Sequence, residues 1–153
     1  MQHYFAYGNL LDIDLMRSVA PSARQVAVAR LPGHELRFVK CHNPTHGGCT
    51  LIPVEGGETW GMQYELSDED MAALDASAGI AEENCGHKPI TVTTADGEEI
   101  ETVTYFIPND RGPHFPPESY VGPIHKGAAA LNLPARYRAR LREIIDSAMT
   151  AAS

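Results

Sequence analysis

The sequence predicts an α+β domain: a mixed, mostly antiparallel and partly closed β-sheet with flanking helices. Short apolar runs recur between turns, in a chain with 13 Gly and 11 Pro. Pairs of these runs flank turn dipeptides and read as consecutive hairpins. A few other segments carry helical spacing and capping residues instead. At 153 residues the chain fits one domain, residues 1–153. Burying about two thirds of its unfolded surface makes disulfides or a metal unnecessary for folding.

The elements follow in order. Residues 3–7 (HYFAY) are aromatic and apolar and end at Gly8, which predicts a short buried strand. Asp12 and Asp14 then precede Leu15, Met16 and Val19, predicting a short helix that stops before Pro21. Residues 26–31 (VAVARL) and 35–39 (ELRFV) flank Pro32-Gly33 and predict a hairpin. Residues 49–53 (CTLIP) and 59–66 (TWGMQYEL) flank Glu55-Gly56-Gly57 and predict another. Ser67 opens a helix over SDEDMAALD, with Asp70 as a capping-box partner, Met71 and Leu74 inward, and Gly79 closing it. Residues 90–94 and 99–107 surround Asp96-Gly97, a third hairpin. Residues 108–117 form a Pro-rich loop. Pro134 then starts a helix whose Tyr137, Leu141, Ile144, Ile145 and Ala148 make one apolar stripe. The tail, residues 150–153, is expected to fray. The count is roughly seven short strands. The lone first strand, followed by a helix, is the one free to pair in parallel.

Hydrophobic residues make up 43% and charged residues 21%, as in ordinary globular domains. The net charge of -8 argues against a nucleic acid or an anionic membrane as partner, since both need a basic face. Cys41, Cys49 and Cys85 are too few and odd in number for a disulfide framework. The N-terminal residues carry no signal-peptide pattern, and no 18-residue apolar run occurs. A cytoplasmic location is expected, with a homodimer as a candidate assembly.

Four groups of residues could carry chemistry. Tyr7, Gly8, Asn9, Leu10 and Leu11 follow a strand and precede a helix. A glycine there lets the backbone turn sharply, so that outward N–H groups can hold a carboxylate. An ordinary strand–helix turn is the alternative. Cys41, His42, His46 and Cys49 have zinc-ligand types but not zinc spacing, so no metal is expected. Cys85 and His87 could be a nucleophile and base, or simply a half-buried thiol beside a loop histidine. Glu82 and Glu83 follow Gly79 on a loop. They are candidates for general acid–base work, or a solvated acidic pair.

With these residues in view, the chain resembles the gamma-glutamylcyclotransferase-like family (AIG2-like and gamma-glutamylamine cyclotransferase relatives), from Tyr4 to about Leu141. YFAYGNLL is similar to the family's glycine loop, and VAVARLPGHELRF to its second strand pair. THGGCTLIP is similar to its His-Gly-Gly segment. TWGMQYELSDEDMAALDASAGI resembles the block ending in Leu-Asp-x-x-Glu-Gly-Val, and TYFIP with PPESYVGPIHKGAAALNLPARYRARL resembles the C-terminal block.

The resemblance implies a small mixed β-barrel with a cavity beside the glycine loop, needing no cofactor. It also implies a reaction in which a gamma-glutamyl α-amine attacks its own gamma-carbonyl, releasing an amine and 5-oxoproline. The substrate would be a small molecule bearing a carboxylate, held by residues 7–11. The position of the family's catalytic glutamate holds Ala78, and a methyl group cannot shuttle a proton. Glu82 or Glu83 would then be its replacement. His87 stands near a family tyrosine, after a two-residue insertion, while Tyr105 and Tyr120 match tyrosines that line the family's cavity. Two alternatives remain: a different small-molecule hydrolysis or rearrangement using His87 or Cys85, and a ligand-binding module without turnover.

Overall fold

A computed structural model describes residues 1–150. Among them, the elements run β1 (Gln2–Ala6), α1 (Ile13–Val19), β2 (Arg24–Lys40), β3 (Gly47–Leu66), α2 (Asp68–Ala78), β4 (Gly86–Thr94), β5 (Glu99–Phe106), α3 (Glu118–Ala130) and α4 (Ala135–Thr150). The strands close into a barrel in the order β1-β3-β2-β4-β5. All neighbours are antiparallel except β1 and β5, which meet in parallel at Tyr4 and Val103 and close the barrel. The sheet is therefore fully closed rather than partly closed, and the first strand is the parallel one.

The first two expected hairpins are corrected. Residues 26–31 and 35–39 belong to one strand, β2. Residues 49–53 and 59–66 likewise belong to β3, and the two strands pair with each other along their length. Gly33 (φ 74°) and Gly56 (φ 76°) take left-handed backbone not to reverse the chain but to form a bulge, where the register jumps from Pro32↔Glu58 to His34↔Pro53. The buried positions in β2 record it: Ala29 and Leu31 before the bulge, Leu36 and Phe38 after it, an odd-to-even switch. The actual reversal between β2 and β3 is the segment 41–46. The β4–β5 hairpin around Asp96-Gly97 forms as expected.

The helices follow their caps. Asp12 Oδ1 accepts from the Asp14 N–H at 3.1 Å and opens α1. Ser67 Oγ accepts from the Asp70 N–H at 3.1 Å and opens α2, and Gly79 (φ 76°) ends it. The capping box is half made, because the Asp70 carboxylate accepts from the Ser22 N–H at 2.7 Å instead. The sequence reading missed α3. Its Gly122, Pro123 and Gly127 disguise a helix, yet Gly127 is required: a Cβ there would overlap the Leu11 and Asp12 backbone, against which α3 lies. In α4, Tyr137, Leu141, Ile144 and Ile145 are buried, as the stripe predicts, and Ala148 is half-buried against them. A Leu→Ala change in such a stripe costs about 2–5 kcal/mol. The helix runs through Thr150, so only that residue of the expected frayed tail is seen; 151–153 lie outside the described residues.

The second half of β1, Tyr4 to Ala6, is buried on both faces. Phe5 packs in one apolar cluster with residues of α3 and α4, and Tyr4 and Ala6 pack in a second with residues of α1 and α2. The glycine turn at its end therefore lies where both clusters meet. Among the described residues, no helix is long and apolar enough to cross a membrane.

Candidate active site

A cavity of about 560 Å³ opens at this junction, within the size range of small-ligand sites. Its wall comes from β1 (Tyr4) and Tyr7 just beyond it, the glycine turn (Gly8, Asn9, Leu10), the start of β3 (Gly47, Gly48, Cys49), the end of α2 with its following loop, and Tyr105 and Tyr120.

The glycine turn is a single 3₁₀ turn, Asn9–Leu11. The Leu11 N–H donates to the Gly8 carbonyl at 3.0 Å, and the Asp12 N–H to the Asn9 carbonyl at 3.2 Å. Among the described residues, nothing accepts from the N–H groups of Gly8, Asn9 or Leu10. Leu11 itself is fully buried and does not line the cavity. Gly8 lies close to Cys49: a Cβ on it would come within 3.3 Å of the Cys49 sulfur.

Side-chain hydrogen bonds tie the start of the turn to β5, and β3 to α3. The Tyr7 hydroxyl donates to the Tyr105 carbonyl at 2.7 Å, and the Cys49 N–H donates to the Tyr120 hydroxyl at 3.2 Å. Burial holds the Tyr7, Tyr120 and Tyr105 hydroxyls well above their ordinary pKa, so they stay protonated. Burial also raises the Cys41 thiol, pushes Cys85 up to about 11 and Cys49 up to about 12. All three thiols are free and line the cavity, but as small apolar groups rather than nucleophiles.

The acidic pair separates. Glu82 lines the cavity and is its one carboxylate among the described residues; Glu83 does not line it and sits in left-handed backbone at φ 62°. Ala78 also lines the cavity. No Lys or Arg is among the lining residues described.

His87 does not reach the cavity. Its Nε2 donates to Asp75 Oδ1 at 2.8 Å, in a shallower neighbouring depression. Of the candidate zinc set, Cys41, His46 and Cys49 line the cavity, while His42 turns toward Arg111. Among the described residues, no group of three or more His, Cys, Asp or Glu side chains is arranged to hold a metal ion. Sequence reasoning gave no role to Asn84 or Asp75. Asn84 lines the cavity with its Oδ1 buried and unpartnered. No local pattern distinguishes Asn84, while Asp75 stands in the Leu-Asp block quoted above without a role assigned to it.

Fold and site together define a small closed barrel with a polar ligand-sized cavity at a strand–glycine–turn junction. A family profile described as gamma-glutamyl cyclotransferase, AIG2-like, matches residues 4–122. The chain is 31% identical over 147 residues to the gamma-glutamylcyclotransferases of Bos taurus and Mus musculus, covering 92% of this chain and 77% of each relative. A solved structure titled gamma-glutamyl cyclotransferase superposes with a TM-score of 0.86 at 28% identity, covering 92% of this chain and 86% of that one. The chain belongs to the gamma-glutamyl cyclotransferase, AIG2-like family.

Proposed function

We propose that this protein is a cyclotransferase that converts a small gamma-glutamyl amide into 5-oxoproline and a free amine, with Glu82 as its proton shuttle. The observation that carries this reading is that Glu82 supplies the one carboxylate, among the described residues, of a cavity also lined by a turn with unpartnered N–H groups. The family membership supplies the reaction class.

The steps follow from the wall. The N–H groups of Gly8, Asn9 and Leu10 donate to the glutamyl α-carboxylate or to the oxyanion. Folding the substrate brings its α-nitrogen onto its gamma-carbonyl carbon, a proximity effect. Glu82 takes a proton from the α-ammonium. The freed nitrogen pair forms the ring C–N bond, and the carbonyl pair moves to oxygen. Collapse of that oxyanion breaks the original C–N bond as Glu82 gives its proton to the leaving nitrogen; the extra proton of the ring nitrogen then passes through Glu82 to the released amine, leaving a neutral lactam and an ammonium. Tyr105 and Tyr120 line the same cavity and bound the substrate there.

A leaving group with its own carboxylate would meet no Lys or Arg among the described lining residues. That supports gamma-glutamyl amines over gamma-glutamyl amino acids as preferred substrates. The unpaired thiols support a reducing compartment, hence the cytoplasm. The test is release of 5-oxoproline from gamma-glutamylethylamine and gamma-glutamylalanine by the purified protein. Release favouring the amine is expected. Binding without release would support the second reading, a ligand-binding module, which the methyl group of Ala78 favours.

A further inference from the structure

Behind the cavity wall, one carboxylate oxygen holds two hydrogen bonds. Asp75 Oδ1 accepts from the Tyr105 hydroxyl at 2.7 Å and from His87 Nε2 at 2.8 Å. The His87 ring also stacks on the Tyr105 ring, with centroids 5.6 Å apart. Asp75 and His87 line the outer depression, and Tyr105 lines the cavity. The phenol thus stands between an outer carboxylate and the inner space.

A phenol has one proton. In Tyr105 it is committed to Asp75, so the hydroxyl can offer the cavity only its oxygen lone pairs. An ionised carboxylate cannot donate, so His87 Nε2 must carry a proton, and this second bond fixes the Asp75 oxygen from outside. Burial and Asp75 together keep Tyr105 protonated. The same cavity is lined by other acceptors, the Glu82 carboxylate and the unpartnered Asn84 Oδ1. It is also lined by Gly8, Asn9 and Leu10, whose N–H groups are donors. Donors and acceptors lining one cavity match the two charged groups of an α-amino acid, its carboxylate and its ammonium.

We propose that Asp75 is a positioning residue: by taking the Tyr105 proton it makes the Tyr105 oxygen an obligate acceptor for the substrate α-ammonium. The proposal rests on the cyclotransferase reading above and names how that site selects an α-amino group. The ammonium is held beside the acceptors before it loses its proton. An analogue without the amine leaves that oxygen idle.

The test compares two ligands differing only in that group: gamma-glutamylethylamine, by its KM, and N-ethylglutaramic acid, by its Ki as a competitor. Tyr105→Phe is expected to raise the KM about ten- to hundredfold, the loss of a hydrogen bond to a charged group, and to leave the Ki within about twofold. Asp75→Ala frees the phenol proton to point at the ammonium. It is expected to raise the KM in the same direction, with the Ki unchanged and Tyr105 still present. A purely structural role would move both constants together. If the two constants shift equally, or neither shifts, in variants with wild-type circular dichroism, the proposal is overturned. Absence of 5-oxoproline release by the wild type would defeat the functional reading instead. Calorimetric titration with the same two compounds then reads the same selectivity in wild type and variants.

Discussion

The Tyr7 hydroxyl and the Tyr105 carbonyl are joined by a 2.7 Å hydrogen bond across 98 residues of sequence. It locks the glycine turn at the end of β1 to the strand that closes the barrel. The same Tyr105 donates its own hydroxyl to Asp75 on α2. One residue therefore ties the turn, the closing strand and α2 into a single frame around the cavity.

Tyr7→Phe removes the buried donor and leaves the Tyr105 carbonyl without that partner. A loss of about 1 kcal/mol is expected. In a chain of this size, that lowers the melting temperature by about 2–4 °C. Thermal denaturation followed by circular dichroism reads it directly, and an unchanged melting temperature would show that the bond contributes nothing.

Glu82→Gln should lower turnover by about 10²–10⁴-fold, the usual contribution of a general acid–base group. Glu83→Gln should leave turnover unchanged, since Glu83 does not line the cavity. Ala78 does line it. In the Glu82→Gln background, Ala78→Glu should therefore recover part of the lost rate. Assays of 5-oxoproline release on the three variants decide this, and equal losses at Glu82 and Glu83 would contradict the assignment.

Gly127→Ala places a methyl against the Leu11 and Asp12 backbone, which has no flexible side-chain end to yield. Overpacking of this kind costs about 1–3 kcal/mol. Because Leu11 ends the glycine turn and Asp12 follows it, KM should rise along with the loss of stability. Gly97→Ala is the control for methyl addition, because nothing lies within 4 Å of its Cβ position; its φ of 86° confines the strain to the hairpin tip.

Stability should fall at both ends of the pH scale. Cys49 and Cys85 ordinarily titrate at 9.0, and burial raises them to about 12 and about 11. The folded state then holds more protons than the unfolded one, so stability is full below about pH 9 and declines between 9 and 12. Glu35 behaves oppositely. The Arg140 guanidinium grips both its oxygens at 3.0 and 3.1 Å, and with Arg37 holds its carboxyl below the ordinary 4.5. Its contribution is present above 4.5 and lost as pH falls below that value. Urea midpoints across the pH range test both limbs, and slow alkylation of Cys49 and Cys85 at pH 8 in the native protein, with fast alkylation in urea, tests the thiols separately.

Much of this molecule was legible in its sequence because the signals are local. The cap at Ser67, the Asp96-Gly97 hairpin and the α4 stripe each declare themselves within one turn or one element. The α3 helix was hidden for an equally definite reason. Its Gly127 serves contact with Leu11 and Asp12, more than a hundred residues earlier, so tertiary packing overrode helix propensity there. Gly33 and Gly56 misled in the same way: left-handed glycines suit a bulge as well as a reversal, and only the odd-to-even switch between Leu31 and Leu36 separates them.

By itself the sequence determined the kinds of element, the glycine turn after the first strand, and the presence of acids beyond Gly79, because helix period, capping and turn chemistry act over a few residues. Tertiary structure alone decided that Glu82 and not Glu83 lines the cavity, that Asp75 holds Tyr105 from behind, and that β1 closes the barrel against β5. Those outcomes depend on side chains and strands meeting across roughly 30 to 100 residues of chain. Such meetings are set by the closure of the whole barrel and leave no periodic trace in the residues that make them.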